Sequence, residues 1–185
     1  MDAAPAPIAD SVRLAWPAEA AAIAEVQRRV WASELEADVA ATVLGGVSAA
    51  EMTDAWHRAI SRPPQARFRV LVAVEQDRVV GYATTVPAED PDVDQSREGE
   101  VQEFAVDPPA RHRGHGSRLL NACADTLRSD GFTGARWWVA TGDDALRRFL
   151  TSAGWAADGS SREIGSDDAS VRLKQVRLHT DLTSA

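Results

Sequence analysis

The run Val106-Asp107-Pro108-Pro109-Ala110-Arg111-His112-Arg113-Gly114-His115-Gly116-Ser117-Arg118-Leu119-Leu120 constrains this chain more than any other stretch. Before it, Glu100 to Val106 reads as a strand that Pro108-Pro109 stops. After it, Ser117 to Arg128 places Leu119, Leu120, Cys123, Ala124 and Leu127 at helical spacing. The order is therefore strand, cationic glycine turn, helix N-terminus. N–H groups at such a terminus lack intrahelical partners and the helix dipole adds partial positive charge, so a phosphate or pyrophosphate is the natural occupant. Gly114 and Gly116 let backbone approach an anion closely, and Arg111 and Arg113 can add charge-assisted hydrogen bonds. The spacing is not that of a P-loop, which needs Lys after its last glycine, nor of the dinucleotide fingerprint, because Leu119 stands where a third glycine would fall. Neither a kinase nor a serine hydrolase has a supporting motif. The bland alternative for the glycine pattern taken alone is a solvated basic turn that caps a helix.

The rest of the chain gives that turn a setting. Residues 1–10 alternate Ala and Pro without an apolar face and read as a flexible N-terminal tail, leaving 11–185 as a single domain. Ser11 to Trp16 alternates like a strand, and Pro17 suits the first turn of a helix with Ile23, Val26, Val30 and Trp31 on its apolar stripe. A less regular segment with Gly45-Gly46 leads to Ser48-Ala49-Ala50-Glu51, a capping box that opens a helix ended by Pro63-Pro64, with Met52, Trp56 and Ile60 facing inward. Phe68 to Val74 and Val79 to Val86 read as an antiparallel hairpin turning at Gln76-Asp77. Ala88 to Glu100 is acidic and reads as a solvated loop. Gly131 closes the helix after the glycine turn; Ala135 to Ala140 is a strand, Asp143 to Ser152 a helix capped by Asp143, and Ser170 to Leu178 a last strand. The element order is β-α-α-β-β-β-α-β-α-β-β.

Charge and cysteine content narrow the function classes. The net charge of −8 argues against a protein that wraps nucleic acid. The one cysteine, Cys123, cannot form an internal disulfide and lies on an apolar helical stripe, so it reads as core, and the first residues lack a secretory pattern; a cytoplasmic home is expected. No run reaches the roughly 18 apolar residues of a membrane span. His112 and His115 have no third ligand at suggestive spacing, so no metal is expected and both read as exposed loop residues.

The glycine turn resembles the pyrophosphate loop of the GNAT superfamily of acetyl-CoA-dependent N-acetyltransferases, Arg/Gln-x-x-Gly-x-Gly/Ala after a Val-x-Pro strand end. Arg111-His112-Arg113-Gly114-His115-Gly116 fits it, as do Val106-Asp107-Pro108 and the later Phe149…Gly154-Trp155. The resemblance covers roughly Phe68 to Ile164. It implies an α/β fold of α+β character, with a mixed, mostly antiparallel central sheet and flanking helices, the acyl-CoA N-acyltransferase fold. It also implies acetyl-CoA as co-substrate, with its pantetheine arm along Phe104, Ala105 and Val106 and its pyrophosphate on Arg111 through Ser117, and a helix bearing Asp143 and Phe149 as the next landmark. Asp143 replaces the family's usual Asn. Leu150 replaces the Tyr that often protonates the departing thiolate, and Tyr82 lies on another strand.

Transfer to an alkylamine needs a base, because an amine with a pKa of about 10 is almost wholly protonated at neutral pH. Strand alternation puts Glu100, Gln102, Phe104 and Val106 on one side and Val101, Glu103 and Ala105 on the other. By resemblance the first set favours Glu100 as the catalytic base, whereas a bulge would bring Glu103 into play. Both carboxylates could equally be a solvent-facing strand edge. The acidic run before the strand favours a small cationic amine as acceptor. A RimI-like protein N-terminal acetyltransferase and a catalytically silent acyl-CoA-binding module are the alternatives; homodimerisation would be an ordinary family feature. Trp137 and Trp138 face opposite sides, one toward the core.

Overall fold

Apolar alternation and turn chemistry build the sheet from its hairpins outward. The computed structural model describes residues 11–165 and 172–183, so the expected tail at 1–10 and the first two positions of the expected last strand, Ser170 and Val171, lie outside the described residues. Among the described residues the seven strands are β1 (Ser11–Leu14), β2 (Arg69–Glu75), β3 (Arg78–Pro87), β4 (Glu98–Val106), β5 (Gly134–Ala140), β6 (Ala156–Gly165) and β7 (Arg172–Asp181). The helices are α1 (Ala20–Glu34), α2 (Ala37–Gly46), α3 (Ala49–Ser61), α4 (His115–Ser129) and α5 (Asp144–Ser152). The sheet order is β1-β2-β3-β4-β5-β7-β6, mixed and mostly antiparallel as the family resemblance implies, with β4 and β5 a parallel pair.

Two units form along this order, one ending at Thr85 and resuming from Glu103 to Asp125, the other comprising Val86–Gln102 and the chain from Thr126 on. In the first, β2 and β3 turn through Gln76 and Asp77, both at positive φ, a geometry that matches the right-handed twist of the two strands. Ile23, Val26 and Val30 of α1 and Met52 and Trp56 of α3 bury against Val70, Val72 and Val74 of β2, Tyr82 of β3 and Ala105 of β4. The Trp56 indole meets the Tyr82 ring edge-on at 5.1 Å and donates to Gln27 Oε1 at 2.8 Å, which satisfies both buried polar groups. The capping box forms as the sequence predicts: Glu51 N–H donates to Ser48 Oγ and Ser48 N–H to Glu51 Oε2.

The supposedly irregular segment before Ser48 is instead the helix α2. Ala40 is its only buried residue, so no apolar stripe marks it, and its terminal Gly45-Gly46 resembles a loop.

In the second unit, β5 pairs antiparallel with β7 and β7 with β6. Trp137 is buried and meets Trp155 edge-on at 5.8 Å, while the adjacent Trp138 faces the other way, as alternation requires. Gly99 leaves room against β4 for Leu127 and Phe132, whose side chains would have to shift to admit a Cβ there.

Candidate active site

The glycine turn forms at the end of β4. Asp107 is buried and fixes the turn to α1: its two carboxylate oxygens accept from Arg29 Nε at 2.9 Å and Nη2 at 2.8 Å, a fork that neutralises the buried charge. Pro108–Ala110 then make a 3-10 turn, and His112 and Gly114 take positive φ of 60° and 85°. That reversal delivers the chain into α4 at His115, two residues earlier than the Leu pattern indicated. The first-turn amides of this 15-residue helix lack intrahelical acceptors, and this donor set suits a diphosphate.

The cationic side chains of the turn are more committed than the sequence suggests. Arg111 Nε donates to the Val106 carbonyl at 3.1 Å and its Nη2 to Glu34 at 2.6 Å, so this guanidinium ties the turn to the strand end and to α1. Arg113 pairs with Glu75 at 2.5 Å, with its side chain still half exposed. His115, expected as an exposed loop residue, is buried at 2% exposure, with Nε2 3.3 Å from Glu75 Oε1. It continues the Leu119, Cys123, Leu127 stripe one turn back, and that spacing is the signal that could have revealed it. His112, Arg113, Gly114 and Ser117 are exposed, and Gly116 is half-buried. Cys123 is fully buried and its thiol is pushed up to about 12 by burial, which fits a core residue.

Strand β4 departs from simple alternation. Asp107 N–H donates to Val80 O and Ala88 N–H to Glu98 O, so nine steps along β4 face eight along β3: β4 carries one extra residue, a bulge. Gln102 and Glu103, adjacent in sequence, are both exposed, as the two residues of a bulge would be. Gln102 hydrogen-bonds to Glu100 from the same face, and Glu103 N–H donates to the Thr84 hydroxyl at 3.0 Å. The parallel β4–β5 ladder covers Glu98, Gly99 and Glu100 against Gly134, Ala135 and Arg136, whereas β4 itself continues to Val106.

The two carboxylates differ in setting. Glu100 is only 7% exposed, and its carboxyl is pushed up to about 7, first by burial and then by the charges of Asp90 and Glu89, against the opposing pull of Arg162 and the Gln102 hydrogen bond. Glu103 keeps surface open to solvent, yet the protein mass around it still raises its carboxyl above the ordinary value. Phe104 and Val106 are half-buried and Ala105 is buried. In the second unit, Asp143 Oδ1 accepts from Leu146 N–H at 2.9 Å as the cap of α5, Phe149 is half-buried and Leu150 fully buried.

The segment expected as a solvated loop is partly anchored. Arg177 of β7, 4% exposed, pairs with Asp90 at 3.2 Å, Asp92 at 2.6 Å and Asp158 at 2.7 Å. These partners raise the Arg177 pKa further, and the guanidinium holds Asp92 down at about 2. The Trp138 indole donates to both oxygens of Asp90 at 3.1 Å. Sequence reasoning missed this cluster, since a run of acids does not reveal which one folds back. Among the described residues, no group of three or more His, Cys, Asp or Glu side chains could hold a metal ion, and no helix is long and apolar enough to cross a membrane.

Known proteins resemble this chain in sequence or in fold. A mycothiol acetyltransferase of Mycolicibacterium smegmatis is 38% identical over 87 residues, 47% of this chain but only 26% of that relative, so the match spans about a quarter of its length. The protein yncA of Salmonella typhimurium, whose structure contains its cofactor acetyl-CoA, superposes with a TM-score of 0.69 at 20% identity, covering 96% of each chain. A ribosomal-protein-alanine N-acetyltransferase of Brucella melitensis superposes with a TM-score of 0.70 at 20% identity, covering 92% of this chain and 99% of its own. Residues 22–155 match the acetyltransferase (GNAT) family, and the chain belongs to it.

Proposed function

We propose that this protein moves an acetyl group from acetyl-CoA to the primary amine of a small cationic molecule, with residues 11–185 acting as one N-acetyltransferase domain. The observation that carries the reading is Glu100, a buried carboxyl with a pKa near 7 in a chain of this family, the tuning a general base needs at neutral pH. The amides of Arg113 through Ser117 would hold the pyrophosphate of acetyl-CoA, with Arg113 adding charge, and the backbone of Phe104, Ala105 and Val106 would carry its pantetheine arm. Bound there, acetyl-CoA supplies the acyl thioester.

Glu100, ionised, takes one proton from the acceptor ammonium. The freed amine lone pair forms the new C–N bond at the thioester carbonyl, the C–S bond breaks, and the amine's second proton leaves with the sulfur as thiol. A thiol of pKa about 8.5 is a fair leaving group, so a side-chain acid is helpful rather than obligatory. This matters because Leu150 is apolar and buried, and the Tyr82 phenol is buried with its ionisation driven upward. Glu103 is the alternative base. The carboxylates of Glu89, Asp90 and Asp92 favour a cationic acceptor over an anionic one.

A second reading, acetylation of protein N-termini, draws support from the likeness to the Brucella enzyme; a silent acyl-CoA-binding module is the reading in which Leu150 has removed catalysis. No nucleic-acid or membrane partner belongs to the proposal, which places the protein in the cytoplasm and admits a homodimer. Thiol release from acetyl-CoA across polyamines, aminoglycosides and N-terminal peptides tests it. Turnover on small cations that falls about 100-fold in Glu100→Gln is the expected result. Turnover on peptides alone would favour the second reading, and none on any amine despite acetyl-CoA binding would leave the binding module.

A further inference from the structure

A polar side chain buried at an apolar position is oriented by what it bonds, and His115 is such a side chain. It is the first residue of α4 and continues the stripe of Leu119, Cys123 and Leu127, yet it is an imidazole at 2% exposure. Its Nε2 lies 3.3 Å from Oε1 of Glu75, the last residue of β2, and its Nδ1 lies 3.5 Å from Nη1 of Arg118, about one turn further along α4. The Glu75 oxygen that faces His115 also receives Arg113 Nη2 at 2.5 Å, so one carboxylate atom takes both a residue of the glycine turn and the first residue of the helix. Glu75 keeps only 14% of its side-chain surface. The Arg118 guanidinium backs the turn itself, since a Cβ on Gly114 would meet Arg118 Nη2 at 3.6 Å. An arginine only donates, so the ring nitrogen facing Arg118 accepts and the one facing Glu75 carries the hydrogen.

We propose that His115 is a positioning residue for the acyl donor: pinned between Glu75 and Arg118, it fixes where α4 begins and hence the direction in which the amides of residues 113–117 point at the diphosphate of acetyl-CoA. This rests on the reading of that turn as the holder of the diphosphate. Each residue of an α-helix turns the chain by about 100°, so an α4 free to start one residue early or late would aim its first amides elsewhere. The other supports of the turn lie before its glycines: Arg29 holds Asp107, and Arg111 is tied to Val106 and Glu34. Gly114 and Gly116 have no side chain with which to hold a conformation, and His115 between them does. A leucine would complete the apolar stripe but would not select one orientation through a hydrogen bond. Ordering the turn in the free protein removes that cost from binding. Arg78 stands opposite Glu75 in the β2–β3 ladder and adds a further, exposed cation there; what positions the turn is the direction of the His115 contact, not the net charge around Glu75.

The test uses the full chain with His115→Leu, which keeps the apolar stripe and removes both ring nitrogens, and His115→Gln, whose amide can still donate to Glu75. Binding of acetyl-CoA is measured by calorimetry. Binding of S-acetylpantetheine, which has the same thioester arm without diphosphate or nucleotide, is measured by NMR titration. His115→Leu should weaken acetyl-CoA about tenfold and leave S-acetylpantetheine unchanged, and His115→Gln should recover part of the loss. A folded His115→Leu protein that binds both donors as the wild type does overturns the proposal while leaving the turn as the diphosphate site. Equal weakening of the two donors also overturns it, since general damage to the fold would do the same. A wild type that binds acetyl-CoA no more tightly than S-acetylpantetheine overturns the reading of the turn itself, and the role of His115 with it. If His115→Leu does not fold, Glu75→Ala is made in an Arg113→Ala background, where His115 is the contact with the turn that the carboxylate retains. A further loss of acetyl-CoA affinity of about fivefold then supports the pin, and no further loss overturns it.

Discussion

Replacing Glu100 with Gln should make the folded protein more stable while it slows the chemistry about 100-fold, and the gain should depend on pH. Glu100 has an ordinary carboxyl value of 4.5 and is pushed up to about 7 in the fold. Folding thus favours the protonated form: the stability this group contributes is complete below pH 4.5 and is lost as pH rises through 7. A difference of about 2.5 units corresponds to up to about 3 kcal/mol of stability lost at pH 8 relative to pH 4. Gln has nearly the same shape and carries no charge, so it removes that loss. Urea unfolding of both proteins at several values between pH 4 and 9 should give curves that coincide at the acid end and diverge above about pH 5, with Gln the more stable. A stability difference that does not change with pH would refute the reasoning, since it would mean that Glu100 titrates alike in the folded and unfolded states.

Two further substitutions probe the frame of the turn. Arg29→Ala should cost about 2 kcal/mol in urea unfolding, because it strands the buried Asp107 carboxylate, and it should weaken acetyl-CoA binding by loosening the start of the turn. Gly81→Ala should destabilise markedly and lower the melting temperature, since its Cβ would lie 2.8 Å from the Ala105 carbonyl and β3 and β4 would have to part.

The glycine turn and its flanking strand and helix were legible because each obeys a local rule: prolines end β4, glycines allow positive φ, and leucines repeat at helical spacing. The hairpin at Gln76-Asp77 and the capping box at Ser48 were legible for the same reason. Where the structure departs from the sequence reading, a non-local contact decides. Helix α2 buries one residue and leaves no stripe. The extra residue of β4 shows only when β4 is counted against β3. That Asp90 rather than Glu89 folds back is decided by Arg177 and Trp138, 87 and 48 residues further along the chain. Arg111 and Arg113 look alike in sequence, yet Arg111 secures the strand end and Arg113 stays half exposed, a distinction set by Glu34 and Glu75.

The central claim is that the turn at Arg111 to Ser117 binds acetyl-CoA, and calorimetric titration of the wild type and of Arg113→Glu tests it most directly. Micromolar binding by the wild type, lost or weakened at least tenfold in a charge-reversed protein that melts normally, is the predicted result. Equal affinity in the two proteins, or no binding by a folded wild type, would contradict it.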